Sequence, residues 1–333
     1  MNIQQNLSFE KDTKKINDEV KCKIANHLWM FCGYSDSIYP AINIDAKYIK
    51  AISDLYNVII DSSIITRLGD IAPKNWRYLK EIVNFRKTIN MLRTVGGHTI
   101  SFENVRQDIL SEFKSWEIQQ CGTDNPTQKQ EFEKLIDGLL KLEKDCLTIV
   151  YHFLKDASNA MGTEKDEIVK KWEDTIIEYY FKPTNSNMFE NKLIEWYIIS
   201  QPNGRATVSS NKIVLRNSVS NWIMNDIYLK EQKKLDLLLE AKAKYYSELK
   251  LDQRSLLNQK IQAKEEGIRS IREGVAKALG KDVESLTPAD YKKHYLSKDV
   301  LGEKMRKAIP EIRNQGLTLL PQDLFGYIIQ KDR

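Results

Sequence analysis

Apolar residues recur at helical spacing along most of this chain. Segment 17–33 (NDEVKCKIANHLWMFCG) predicts a helix ended by Gly33. Segment 45–67 predicts a second, with Ile49, Ile52, Leu55, Tyr56 and Ile59 on one stripe. Residues 76–93 (WRYLKEIVNFRKTINMLR) predict a third, with Pro73 and Asn75 as start signals and Gly96-Gly97 as the stop. A fourth, 101–120, opens at Ser101 with Asn104 near the capping-box position. The CGTDNPT loop at 121–127 leads to a fifth, 128–160, and a sixth over 163–181 begins with Thr163 and Asp166. Residues 1–181 therefore read as a helical bundle.

The pattern breaks after residue 181. KPTNSN is a loop, LIEWYIIS a short apolar run compatible with strand or buried helix, and QPNG a turn. ATVSSNKIVLRN suits a small β-hairpin about Ser210-Asn211, near 205–216. Residues 228–279 form a charged helical stretch whose apolar content thins after Leu239; it should project, pair with another helix or bend near Gly267. Ser285-Leu286-Thr287-Pro288 opens a short helix, and the tail from Pro310 to Arg333 (with LTLLPQDLFGYII) is apolar enough to dock on the body or on a partner. The expected fold class is all-α: a multi-helix bundle over 1–181, and an additional helical C-terminal region over 182–333 with one small β-hairpin.

Composition narrows the class. With 41% apolar and 29% charged residues and only 8 Pro and 14 Gly, the chain reads as globular and helix-rich. No stretch approaches the length of a membrane span, and MNIQQNLSFEKDTKK lacks the apolar core of a signal peptide, so the expected location is the cytoplasm. A net charge of +5 from 51 basic and 46 acidic residues permits nucleic-acid binding without demanding it. Cys22, Cys32, Cys121 and Cys146 form no close pair. Cys22, His27 and Cys32 would face different directions on one helix, so core or surface thiols are the expectation. No cofactor or metal site is expected: phosphate-loop, dinucleotide and zinc-helix motifs are all missing. His27 and His152 lie in apolar runs and read as core or groove residues, and His294 as part of a surface aromatic-basic face. Glu164, Asp166 and Glu167 sit where negative charge offsets a helix dipole. The basic stretch Lys230–Lys264, with Tyr245 and Tyr246, is either a solvated face or a contact for RNA backbone.

The candidate chemistry lies at the end of the third helix, in Arg93-Thr94-Val95-Gly96-Gly97-His98. On a wheel at about 100° per residue, Arg86, Asn90 and Arg93 share one direction within an arc that also holds Trp76, Tyr78, Leu79, Ile82, Val83, Phe85, Ile89 and Leu92. Met91 falls on the opposite, polar arc. Guanidinium groups on a buried stripe require carboxylates, carbonyls or a bound anion. Two readings stand: acidic side chains from neighbouring helices hold the arginines, or the group meets a phosphodiester, with His98 turned back by the glycine pair.

An all-helical bundle with one Arg-x4-His at the end of a long helix resembles the HEPN superfamily of ribonucleases, over about residues 15–120 and at most to 181. The residue after the arginine, Thr94, and the Gly96-Gly97 pair depart from the usual pattern of that family. The resemblance implies catalytic Arg93 and His98, accessory substrate-binding Arg86 and Asn90, and RNA as substrate. It also implies cleavage without a metal, and a homodimer that sets two motifs face to face, in a bacterial or phage defence or toxin-type system. A regulatory protein partner would engage the C-terminal region. The rival expectation is a non-enzymatic helical interaction subunit of a defence or phage assembly, and a DNA-binding regulator ranks below both because no recognition helix stands out.

Overall fold

In a computed structural model, the structure describes residues 9–32, 43–73, 76–96, 105–181 and 229–332. Twelve α-helices occur among the described residues, and no strand beyond one isolated antiparallel bridge between Phe31 and Ser63. The all-α class is what the sequence predicted. The expected hairpin near 205–216, the rest of 182–228, His98, Ser101 and Asn104 lie outside the described residues. The chain divides into two compact units: residues 1–179 with Gly316–Leu319, and residues 180–315 with 320–333.

The first unit holds α1 (Phe9–Lys23), α2 (Ile44–Tyr56), the single turn α3 (Leu68–Ile71), α4 (Leu79–Val95), α5 (Gln107–Cys121), α6 (Lys129–Asn159) and α7 (Thr163–Tyr180). Helix α6 is the axis, packing against α1, α2, α4 and α5. Its start is fixed by Glu131, whose carboxylate accepts the backbone N–H groups of Gln128 at 2.8 Å and Thr127 at 2.7 Å. Its buried positions Leu135, Leu139, Cys146, Val150, Phe153 and Leu154 keep helical spacing and make one continuous seam. Each large apolar side chain fully buried there contributes about 1.5–3 kcal/mol. Just before it, Gly122 ends α5 in the left-handed conformation at φ 94°.

Segment 17–33 departs from the predicted helix. Helix α1 begins earlier and stops at Lys23, and the consecutive residues Leu28, Trp29, Met30 and Phe31 are all buried. Consecutive burial requires contacts on every side, which a one-faced helix does not supply. The Asn17 side chain takes over the freed backbone groups: its Oδ1 accepts the N–H groups of Met30 (2.8 Å) and Phe31 (3.0 Å), and its Nδ2 donates to the Phe31 carbonyl at 2.8 Å. Gly316–Leu319 completes this part of the unit. The Leu319 N–H donates to the His27 carbonyl at 2.7 Å, and Trp29 Nε1 donates to the Leu319 carbonyl at 2.8 Å. In turn Trp172 Nε1 donates to the Trp29 carbonyl at 2.9 Å.

Two buried carboxyl groups stand out. On α6, burial and, secondarily, the charge of Asp12 push Glu143 up to about 8; the Cys146 thiol one turn on is raised too, by burial first and Glu143 next. On α5, Glu117 is pushed up to about 7 by burial and then by Asp124, against Lys114 and Tyr48. The Tyr48 hydroxyl is buried beside it without a well-formed hydrogen bond.

The second unit holds α8 (Leu229–Tyr245), α9 (Leu251–Leu279), α10 (Pro288–Tyr295), α11 (Lys298–Asn314) and α12 (Pro321–Asp332). The charged stretch 228–279 pairs with itself: α8 and α9 form a helical hairpin in which Lys264 of α9 bonds Glu231 near the start of α8. The break falls at 246–250, and Gly267 lies within α9. Asp290 caps α10. Lys281 at 2.6 Å and the Thr287 backbone N–H and hydroxyl, at 2.9 and 2.8 Å, hold its carboxyl down at about 2. Phe325 of α12 packs edge-on against Tyr180 at 5.8 Å. No described helix is long and apolar enough to cross a membrane.

Candidate nucleic-acid interface

Helix α4 carries the predicted group, but its buried face is not the one the wheel assigned. Ile82, Phe85, Ile89, Met91, Leu92 and Val95 are buried. Leu79 and Val83 are 46% and 56% exposed. The buried arc therefore centres on Ile82, Phe85, Ile89 and Leu92, and the directions of Arg86, Asn90 and Arg93 lie roughly 60–120° away from it. Arg86 is exposed, while Asn90 and Arg93 are half-buried. Apolar residues on the outer side dragged the apparent apolar arc toward solvent. Met91, which the wheel gave to the polar side, is 8% exposed.

The last turn of α4 meets the end of α2. The Arg93 guanidinium carbon sits 5.6 Å from the centre of the Tyr56 ring, within cation–π range. Burial and then Asp61 raise the Tyr56 hydroxyl above its ordinary value, while Arg93 and Arg86 pull it down. Both guanidinium groups are thus near one phenol, which remains a neutral donor at working pH. The widened turn after Tyr56, Asn57–Asp61, carries Asp61 to this rim, and its carbonyl accepts the Tyr179 hydroxyl. Among the described residues no carboxylate lies within 4 Å of Arg86. The next residue, Lys87, is paired with Glu112 at 2.6 Å. The structure thus supplies an aromatic neighbour for Arg93 and leaves Arg86 facing outward.

Thr94, the unusual residue after the arginine, turns its hydroxyl back to the Asn90 carbonyl at 2.7 Å. Gly96 closes the helix for a packing reason. A Cβ there would meet Ile52 Cδ1 at 2.7 Å and Phe113 Cε2 at 3.2 Å, so the chain end is pressed against α2 and α5. Its backbone is ordinary, at φ −86°. The glycine therefore brings the end of α4 close to α2, where Tyr56 lies. Sequence reasoning missed Tyr56: it appeared only as one member of the α2 stripe, and nothing local says that the ends of α2 and α4 meet.

The remaining candidates separate. His27 is buried with Nε2 2.8 Å from Glu173 Oε1, while its Nδ1 has no hydrogen-bond partner. His152 stacks on Tyr78 at 4.7 Å and 12° between planes. His294 packs edge-on to Tyr295 at 5.2 Å, and burial lowers it. Cys22 is exposed and Cys32 meets the Tyr179 hydroxyl at 3.0 Å, so these two and His27 form no ligand set. Among the described residues no group of His, Cys, Asp and Glu is arranged to hold a metal ion. Comparison with family models, curated proteins and solved structures finds no match.

Proposed function

We propose that this chain is a metal-independent RNA endonuclease, with Arg93 and His98 as the catalytic pair and Arg86 and Asn90 as substrate-binding groups. The observation that carries the reading is the guanidinium pair at the rim of α4. Arg93 lies over Tyr56, and Arg86 is exposed with no carboxylate within 4 Å among the described residues. A half-buried guanidinium over an aromatic ring, with a second, exposed guanidinium on the same side of the helix, suits a phosphate and its neighbouring base.

In this reading Arg93 binds the scissile phosphate and stabilises charge that develops on its oxygens. The ribose 2′-oxygen attacks phosphorus and the bond to the 5′-oxygen breaks. The proton lost by the 2′-hydroxyl is replaced at the 5′-oxygen, leaving a 2′,3′-cyclic phosphate and a 5′-hydroxyl with no water consumed. His98 takes up or delivers one of these protons, a role suited to imidazole near neutral pH. One Arg-x4-His per chain calls for a homodimer that faces two motifs across the RNA. The proposed setting is a bacterial or phage defence or toxin-type system in the cytoplasm, restrained by a regulatory protein at the C-terminal region.

The test is cleavage of single-stranded RNA in EDTA. His98→Ala should abolish cleavage with an unchanged melting temperature. Arg93→Ala should abolish cleavage and flatten the salt dependence of binding by about 0.7 in log–log slope. Full activity in both variants, or activity that requires a divalent metal, would overturn the proposal.

A second reading, a non-enzymatic interaction subunit, draws on different residues. Leu237, Leu251 and Leu256 on the α8–α9 hairpin are 65%, 83% and 53% exposed, and such leucines suit a protein surface. It predicts a stable protein complex and no RNA cleavage from either variant or the wild type.

A further inference from the structure

The two ends of the α8–α9 hairpin differ in how their charge is neutralised. Near the base, Glu231 holds both Lys234 and Lys264, and Arg272 lies 3.9 Å from Glu284. Near the tip, among the described residues, no carboxylate lies within 4 Å of Lys242, Lys244, Lys250, Arg254 or Lys260. Three of these five engage tyrosines instead. Lys242 Nζ and Arg254 Cζ lie 5.4 and 5.3 Å from the Tyr246 ring centre, and Lys244 Nζ lies 5.0 Å from that of Tyr245.

The turn is built, not frayed. Asn258 Nδ2 donates to the Tyr246 hydroxyl at 2.9 Å, and Arg254 Nη2 donates to the Ser247 carbonyl at 2.8 Å. Beside Tyr246 opens a recess of about 660 Å³, lined by Leu251, Ser255 and Asn258 among others. Arg254 Nε and Asn258 Oδ1 are buried there with no protein partner. Tyr245 stays 46% exposed and Leu251 83% exposed. Unneutralised cations interleaved with accessible aromatic and apolar surface match what a single-stranded nucleic acid offers: spaced phosphates and bases free to stack. An acidic protein would satisfy the charge but leaves the paired tyrosines without a role. A duplex would satisfy the charge but hides its base faces.

We propose that the tip of the α8–α9 hairpin, around Lys242, Lys244, Tyr245, Tyr246, Lys250 and Arg254, is a binding site for single-stranded RNA. Phosphates lie along the lysines, and a base stacks on Tyr245. The site draws on neither Arg93 nor His98 and stands whether or not that pair cleaves.

The experiment uses the full chain carrying His98→Ala, so that no RNA is consumed. A fluorescein-labelled 15-nucleotide oligouridine is titrated by anisotropy in EDTA between 50 and 200 mM NaCl. Replacing Lys242, Lys244 and Lys250 together by Gln should weaken binding at least tenfold and reduce the log–log salt slope by about 2, three contacts at about 0.7 each. Tyr245→Ala should weaken it several-fold with the slope unchanged, because stacking releases no counterions. All four positions are surface or partly exposed, and circular dichroism checks that the helices persist. Ultraviolet cross-linking of the parent chain to 4-thiouridine RNA supplies a readout independent of variants, and should label the 242–254 peptide. Parent-like affinity in the triple-Gln chain, or cross-links confined elsewhere, would overturn the site while leaving cleavage by Arg93 and His98 unaffected. Binding to phosphatidylserine vesicles but not to RNA, or duplex preferred over single strand, would also overturn it.

Discussion

Replacing Glu143 by Gln should make the protein more stable at alkaline pH and leave it nearly unchanged at acid pH. Glu143 is 7% exposed on the inner face of α6, and burial and then Asp12 raise its carboxyl from 4.5 to about 8. The folded chain therefore keeps this proton where the unfolded chain releases it. With the folded value above the unfolded one, the stabilising share is fully present below about pH 4.5 and is lost as the pH climbs toward 8. Each pH unit in that window costs about 1.4 kcal/mol, so the loss between pH 5.5 and 7.5 is about 3 kcal/mol. Glutamine is neutral at every pH and keeps the shape, so its variant lacks this loss. Glu117, raised to about 7, acts in both chains alike and cancels in their difference. Urea unfolding followed by tryptophan fluorescence measures that difference, since Trp29, Trp76 and Trp172 are all buried in the first unit. The Gln variant should gain on the wild type steadily from pH 5 to 8. Parallel profiles, within about 0.5 kcal/mol across that range, would refute the placement of a buried, protonated Glu143.

Two further outcomes follow from α4. Gly96→Ala drives a methyl group to 2.7 Å from Ile52 Cδ1 and should cost about 1–3 kcal/mol, with part recovered when Ile52→Val is added; thermal unfolding checks both. Arg86→Leu should shift stability by no more than about 0.5 kcal/mol, because Arg86 is exposed, while oligonucleotide affinity falls. A large loss of stability in that variant would reveal a structural ion pair in place of an anion contact.

Helix α6 was legible because local signals agree with packing: the Gly122 stop of the helix before it, the Glu131 cap and a seam of apolar residues at helical spacing. Segment 24–31 was not legible, because a run such as Leu28-Trp29-Met30-Phe31 fits helical and extended burial equally. What decides is the Asn17 side chain, reaching backbone groups 13 and 14 residues away. Gly267 drew attention as a bend, yet nothing lies near its Cβ position and α9 passes through it. The hairpin turn instead falls at 246–250, stabilised by Arg254 and Asn258 from the following helix. In the candidate site, Arg86, Asn90 and Arg93 could be placed on one helix direction from sequence, but the direction of the core could not. Leu79 and Val83 are apolar and yet face outward, so composition misplaces the centre of the buried arc. Tyr56 joins the site only through tertiary contact between helix ends, which no local pattern encodes.

Metal-free RNA cleavage by Arg93 and His98 would be written in the chemistry of the product ends. A 5′-labelled single-stranded RNA is incubated with the purified chain in EDTA, and the fragments are resolved before and after phosphatase and mild acid treatment. The fragments should end in a 2′,3′-cyclic phosphate that resists phosphatase until acid opens it, with a 5′-hydroxyl on the other fragment, and His98→Ala should give no products. Fragments with 3′-hydroxyl and 5′-phosphate ends, or undiminished cleavage by His98→Ala, would contradict it.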